Sequence, residues 1–400
     1  MSKSKNELNL SEAEKEGEAC LRSILNHAIE ENAESVNMRL TCEGEFTGDP
    51  TEKAAAGEGV FCYRLRTFGE TSEEFQQKAE EFPRCVRLLS AISGGSSSFV
   101  LRDNTGSRID CRWERARTAS GEMVVIRLLY RQVASDLQSL AFDEETLKAI
   151  DRALAAPDGL IVIAGPTGSG KSTTMGDMIA AQHSVSRLNI EEAKTIVGQN
   201  IAKLLSVDAD VLFGEIRDRP SAELAVEAAN VGYQVVTTII GMSAIDIPAR
   251  LMMLGIERLA VAYSLRLLCS QRLVRLLCQE CATTRYLTGE DIELLFDSSL
   301  NASAFASARE CGAEIGAPIK KRHPEGCVKC KGRGYSGRKA VIEVLPVDCQ
   351  VRRCISEGRD LGELMREMQT FKSLQEKGRQ MLLRGETDIE SLRMVIDFTR

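Results

Sequence analysis

The chain has 400 residues, 43% of them hydrophobic and 27% charged, which is enough for two or three domains. A formal net charge of -7 and a pI near 5.4 argue against a general nucleic-acid binder, which carries a basic footprint. No apolar run approaches the roughly 18 to 20 residues that cross a bilayer, and residues 1–10 lack an apolar signal core, so a cytoplasmic chain is expected, with any membrane link coming through a partner protein.

In chain order, residues 1–15 are polar and read as a frayed tail or arm. Helical spacing of apolar residues predicts a helix over 19–29, and Gly, Glu, Thr and Pro50 predict a loop over 43–59. Residues 60–67 alternate as a half-buried strand, residues 75–92 read as a helix, and residues 94–98 as a turn. Residues 99–102, 107–114 and 123–129 read as antiparallel strands. Together they make residues 16–132 a small α+β domain. A linker at 137–140 and a helix over 143–155 follow. From Gly159 strands and helices alternate, the signature of a parallel sheet with crossover helices, so residues 133–400 form an α/β domain.

The run Leu160-Ile161-Val162-Ile163-Ala164 is a short buried strand. It leads into Gly165-Pro166-Thr167-Gly168-Ser169-Gly170-Lys171-Ser172, the G-x-x-x-x-G-K-S pattern of a phosphate-binding loop, followed by Thr173 and a helix. The glycines let backbone N–H groups turn toward phosphates, Lys171 reaches the β- and γ-phosphates, and the Ser172 hydroxyl can ligate Mg2+. Asp210-Val211-Leu212-Phe213-Gly214-Glu215 is a strand closed by an acid. A parallel strand beside the phosphate-loop strand brings Glu215 to the metal or to the attacking water.

Of the 13 cysteines, Cys20, Cys42, Cys62, Cys85, Cys111, Cys269, Cys311, Cys349 and Cys354 show no metal-type spacing, and most read as small buried hydrophobes. Cys278 and Cys281 form one C-x-x-C pair, Cys327 and Cys330 another. Four thiolates from two such turns fit a structural Zn2+ site, with the 278–330 segment folding as an insertion.

The stretches Phe213-Gly214-Glu215-Ile216-Arg217-Asp218, Gln271-Arg272-Leu273-Val274-Arg275 and Cys330-Lys331-Gly332-Arg333-Gly334-Tyr335, with the helical 355–400 end, resemble the secretion ATPases of type II secretion systems and type IV pili. The similarity is clear from about residue 120 onward. It implies a P-loop (RecA-like) ATPase domain that uses ATP and Mg2+, a hexameric ring, and nucleotide held between the two domains. It further implies that Arg112 and Arg127 of the preceding domain contact phosphates, although both also fit solvated strand arginines. Expected partners are an inner-membrane platform protein and a docking protein.

Two departures bear on catalysis. The family's acidic segment is shortened here to Leu188-Asn189-Ile190-Glu191-Glu192-Ala193, where Glu191 and Glu192 either keep the water-activating carboxylate or are exposed helix-start charges. The family's histidine position, after a Thr-rich strand, is Ile240. The expectation is therefore a motor ATPase for pilus, secretion or conjugative function whose hydrolysis is slow or partner-dependent. The alternative is a nucleotide-binding structural or regulatory subunit, and a nucleic-acid motor is disfavoured by the acidic balance.

Overall fold

The structure is a computed structural model, and it describes residues 7–9, 16–41, 59–67, 70–94, 96–102, 108–118, 121–130, 140–182, 186–197, 209–296, 312–367 and 371–398. The loop expected at 43–59 and the linker at 137–140 lie outside these residues apart from Gly59 and Leu140, as do Cys42 and Cys311. The chain divides into two compact units, Met1–Val133 and Ala134–Arg400.

The first unit packs helices α1 (Glu16–Glu30) and α2 (Glu81–Ile92) on a sheet of β1 (Glu7–Asn9), β2 (Ser35–Thr41), β3 (Val60–Thr67), β4 (Glu70–Thr71), β5 (Phe75–Gln77), β6 (Ser98–Arg102), β7 (Arg108–Thr118) and β8 (Gly121–Tyr130). The strand order is β1-β6-β7-β8-β2-β3-β4, with β5 also on β3. Side-chain alternation decides which face is buried: Val36, Met38 and Leu40 point into the core with Leu21, Ile24, Phe82 and Leu89, while Arg39 is exposed. Two expectations are corrected. Residues 7–9 are not tail but a strand running parallel to β6. The helix expected over 75–92 starts only at Glu81, where the spacing Phe82, Cys85, Val86, Leu89 begins. Phe75 instead extends the sheet, pairing with Tyr63 and stacking on its ring at 5.1 Å.

The second unit is a mixed sheet in the order β10-β11-β12-β9-β13-β16. Its strands are β9 (Gly159–Ala164), β10 (Arg187–Asn189), β11 (Val211–Ile216), β12 (Gln234–Ile239), β13 (Leu265–Leu277) and β16 (Tyr335–Pro346); all are parallel except β16, which runs antiparallel to β13. Between β13 and β16 lies a two-stranded ladder of β14 (Thr283–Tyr286) and β15 (Pro318–Lys321). The helices are α3 (Glu144–Leu154), α4 (Lys171–Ala180), α5 (Ile190–Val197), α6 (Arg219–Asn230), α7 (Ile247–Met253), α8 (Arg258–Ser264), α9 (Gly289–Leu295), α10 (Cys349–Glu357), α11 (Leu361–Glu367), α12 (Leu374–Leu383) and α13 (Ile389–Arg393).

β9 and β12 are buried at every position; β9 accordingly reads as a near-continuous apolar run, whereas β12 also buries Gln234, Thr237 and Thr238. Alternate residues of β9 serve opposite cores. Leu160 and Val162 join α5, α6, α7, α8, α10 and α11 on one face, while Ile161 and Ile163 join α3 and α4 on the other. A third core gathers α9, α12 and α13 beside the β14–β15 ladder.

At Gly214, next to Glu215, a Cβ would meet Ile190 Cβ at 2.9 Å. Gly214→Ala therefore overpacks β11 against α5. It is expected to cost roughly 1 to 3 kcal/mol, read as a fall in thermal midpoint of about 2 to 4 °C per kcal/mol. Gly176→Ala, in α4 with nothing within 4 Å of the added carbon, is expected to raise the midpoint instead. Equal midpoints for the two variants would contradict the packing argument.

Candidate functional site

The phosphate-loop residues follow β9 directly. Gly165, Gly168 and Gly170 take φ values of 158°, 81° and 83°. At Gly165 the requirement is also steric, because a Cβ would lie 2.7 Å from the Gln271 carbonyl oxygen. Gly170 is the left-handed N-cap of α4, so the first-turn N–H groups of Lys171, Ser172 and Thr173 open the helix at the loop. Pro166, Thr167 and Gly168 are exposed, and an added carbon at Gly168 meets nothing. Lys171 Nζ donates to the carbonyls of Gly165 (2.8 Å) and Pro166 (2.9 Å), folding the ammonium over the loop. The Ser169 hydroxyl is buried without a hydrogen-bond partner among the described residues. Open space, a folded-back lysine and an orphaned hydroxyl fit a loop built to wrap an anion. Burial draws the Lys171 pKa down, the Glu215 carboxylate pushes it back, and the Arg272 charge lowers it again.

One correction concerns Glu215. Its strand β11 is not next to β9; β12, buried at every position, stands between them. The registers Ile216↔Ile239 and Ile239↔Ala164 keep the three strand ends level. Glu215 thus reaches the same edge as Lys171 from one strand further away. Its Oε2 accepts from Arg217 Nε (2.9 Å) and Nη2 (2.6 Å). Glu191 and Glu192 fall in the first turn of α5. Glu191 pairs with Lys194 at 3.2 Å and adds to the field that raises Arg217, whereas Glu192 is simply exposed. Ile240 follows β12 and is 52% exposed; Ile239, just before it, accepts from the Gly165 N–H at 3.3 Å. Arg112 and Arg127 belong to the first unit, where they are cross-strand partners on β7 and β8 and both exposed.

Sequence reasoning gave Gln271 no role of its own. Its side chain spans the phosphate loop from β13: Oε1 accepts from the Thr174 hydroxyl and Nε2 donates to the Ser169 carbonyl, both at 2.8 Å. The available signal was a polar Ser270-Gln271-Arg272 step inside an apolar strand, buried throughout.

The cysteines of the two C-x-x-C turns converge at the far ends of β13 and β16. Their sulfurs all lie within 4.8 Å of one another, at 3.8 Å for Cys278–Cys327, 3.8 Å for Cys281–Cys330 and 3.7 Å for Cys327–Cys330. Tetrahedral zinc with bonds near 2.3 Å needs sulfurs about 3.8 Å apart, so the donor set fits that metal. Burial alone would raise the Cys330 pKa, but N–H groups of Cys327 and Gly334 and the neighbouring thiols bring it down to about 6. Among the remaining described cysteines, Cys62, Cys85, Cys111, Cys269 and Cys354 are buried, Cys20 is partly buried and Cys349 is exposed.

The profile of the family described as Type II/IV secretion system protein matches residues 95–193 and 181–394. The chain is 31% identical to the type II secretion system protein E of Pseudomonas aeruginosa over 402 residues, spanning 93% of this chain and 74% of that one. It is 30% identical to the type IV pilus assembly ATPase PilB of Myxococcus xanthus, over 72% of this chain and 52% of that one. In fold it is similar to the Legionella pneumophila ATPase DotB, with a TM-score of 0.61, 15% identity, and 97% and 98% of the two chains covered.

With four sulfurs already at tetrahedral spacing, native mass spectrometry is expected to find one zinc ion per chain, and none after Cys327→Ser. Retention of zinc by the variant would place the metal elsewhere.

Proposed function

The chain belongs to the type II/IV secretion system protein family, and we propose that it is an ATP-binding and ATP-hydrolysing motor subunit of a pilus, secretion or conjugation machine. The observation that carries this reading is the level edge where the loop Gly165–Ser172, Glu215 and the end of β12 meet. In this proposal the N–H groups of Gly168, Ser169, Gly170 and Lys171 cradle the phosphates, and Lys171 swings from the Gly165 and Pro166 carbonyls onto them. Ser172 and Thr173 would hold Mg2+, which when bound neutralises charge on the phosphates. Glu215 orients the attacking water once Arg217 releases it, with Glu191 adjusting that arginine and Glu192 held in reserve on α5. Arg112 and Arg127 supply further positive charge to the phosphates. Zn2+ on Cys278, Cys281, Cys327 and Cys330 is structural, since four protein ligands leave no open position.

The assembly proposed is a homohexamer at the cytoplasmic face of the inner membrane, held there by platform and docking proteins. Among the described residues no helix is long and apolar enough to cross a membrane.

Hydrolysis by the isolated chain is proposed to be slow. Ile240 brings an exposed hydrocarbon to the strand end beside Gly165, where a side chain that donates a hydrogen bond to developing charge would accelerate the reaction. That same observation favours the second reading, a nucleotide-binding regulatory subunit of the same machinery.

Magnesium-dependent ATP turnover separates the readings. Lys171→Ala is expected to cut turnover at least about a hundredfold and to weaken nucleotide binding. Ile240→His is expected to raise turnover roughly tenfold. ATP binding without turnover in either the wild type or Ile240→His would select the regulatory subunit, and loss of binding altogether would overturn both.

A further inference from the structure

Beyond Gln271, the two most deeply buried charged side chains of β13 and β16 are left unused by the roles above. Arg272 is 3% exposed and Glu343 2%. They share one face of the sheet, since Glu343 is the cross-strand partner of Ser270, two residues before Arg272. Burying either charge is costly unless its polar atoms are satisfied, so their partners indicate what they are for.

Arg272 binds main-chain carbonyls in three places. Its Nη2 donates to Met242 at 2.6 Å, Nη1 to Gln271 at 2.9 Å and Nε to Val395 at 2.9 Å. Glu343 binds donors in two places: Oε1 accepts from the Ser243 hydroxyl (2.7 Å) and the Ala244 N–H (2.6 Å), and Oε2 from the Leu374 N–H (2.9 Å). The first partner of each is the loop 240–244, which leaves β12 beside the phosphate loop. The last partner of each is one end of the C-terminal helical pair: Leu374 opens α12, and Val395 follows α13. Gln271, next in sequence to Arg272, presses its carbonyl on Gly165 and its side chain on Ser169. Phosphate loop, loop 240–244 and the last two helices are thus joined within a few bonds of one another.

We propose that Arg272 and Glu343 are positioning residues that transmit nucleotide occupancy at the phosphate loop, through the loop 240–244, to helices α12 and α13. The inference rests on the nucleotide-site reading above. A static staple of the same atoms would hold the helices but would not make them respond to nucleotide.

Hydrogen exchange by mass spectrometry on the full chain, with and without Mg-ADP, tests this. In the wild type, Mg-ADP is expected to protect 165–173 and to change exchange about threefold or more in 240–244 and in 374–396. Glu343→Gln places an amide N–H2 against donors, and Arg272→Lys replaces a spread fork with a point charge. Both variants are expected to keep the protection at 165–173 and lose the change in 374–396. Their turnover should fall about tenfold or more with KM for Mg-ATP within about twofold. Ser243→Ala removes one bond from a partly exposed loop position and covers the case in which the buried variants do not fold; it is expected to weaken the remote response by about half. Protection at 165–173 with no response in 374–396 of the wild type, or an undiminished response in the variants, overturns the inference alone. No protection at 165–173 in the wild type overturns the nucleotide reading and this inference with it.

Discussion

The functional edge of the second unit depends on one strand, β9, being buried on both faces and hydrogen-bonded on both sides, to β12 and to β13. A strand so enclosed has no freedom of register, because a slip of one residue would exchange its two faces between different cores. Where β9 ends is therefore fixed, and with it the place where the backbone turns out as Gly165. The main chain of Ile239 on one side and Gln271 on the other then form the walls of that exit. The glycine is set by the wall as much as by the turn.

The polar residues on those walls follow a common rule. Ser270, Gln271, Arg272 and Glu343 sit among the Leu, Val and Ile residues of β13 and β16, and all four are buried. Each makes at least one hydrogen bond to a main-chain group of the phosphate loop, the loop after β12 or the C-terminal helical pair. A buried sheet satisfies its own backbone, but loops next to it do not, and side chains on the central strands supply the missing partners. In this unit β13 and β16 serve as the frame to which the irregular segments are tied.

What the sequence made legible were features with a short-range cause. The glycine spacing of 165–170 answers a local backbone requirement, and the repeated C-x-x-C answers a tetrahedron, so both could be read without the fold. The order of the sheet has no such local signature. Nothing in Val211–Ile216 or Gln234–Ile239 says which of the two adjoins β9, and the strand that took the inner place is the one carrying Gln234, Thr237 and Thr238. The work of Gln271 was hidden for the same reason, since its partners Ser169 and Thr174 are near only once β13 lies beside β9. In the first unit, β5 is three residues long, too short for alternation to be told from the first turn of a helix.

Arg112 and Arg127 face each other directly across β7 and β8, and in the same row Arg66 follows one strand beyond Ser35. Like charges placed opposite one another oppose the pairing of the strands that carry them. Their repulsion relaxes as mobile ions gather, within a screening distance of about 10 Å at 0.1 M salt. At that row the strands should accordingly pair more tightly as ionic strength rises, the reverse of what salt does to the Arg115–Glu122 ion pair further along β7 and β8. A polyvalent anion laid along that row would do the work of many scattered counterions at once.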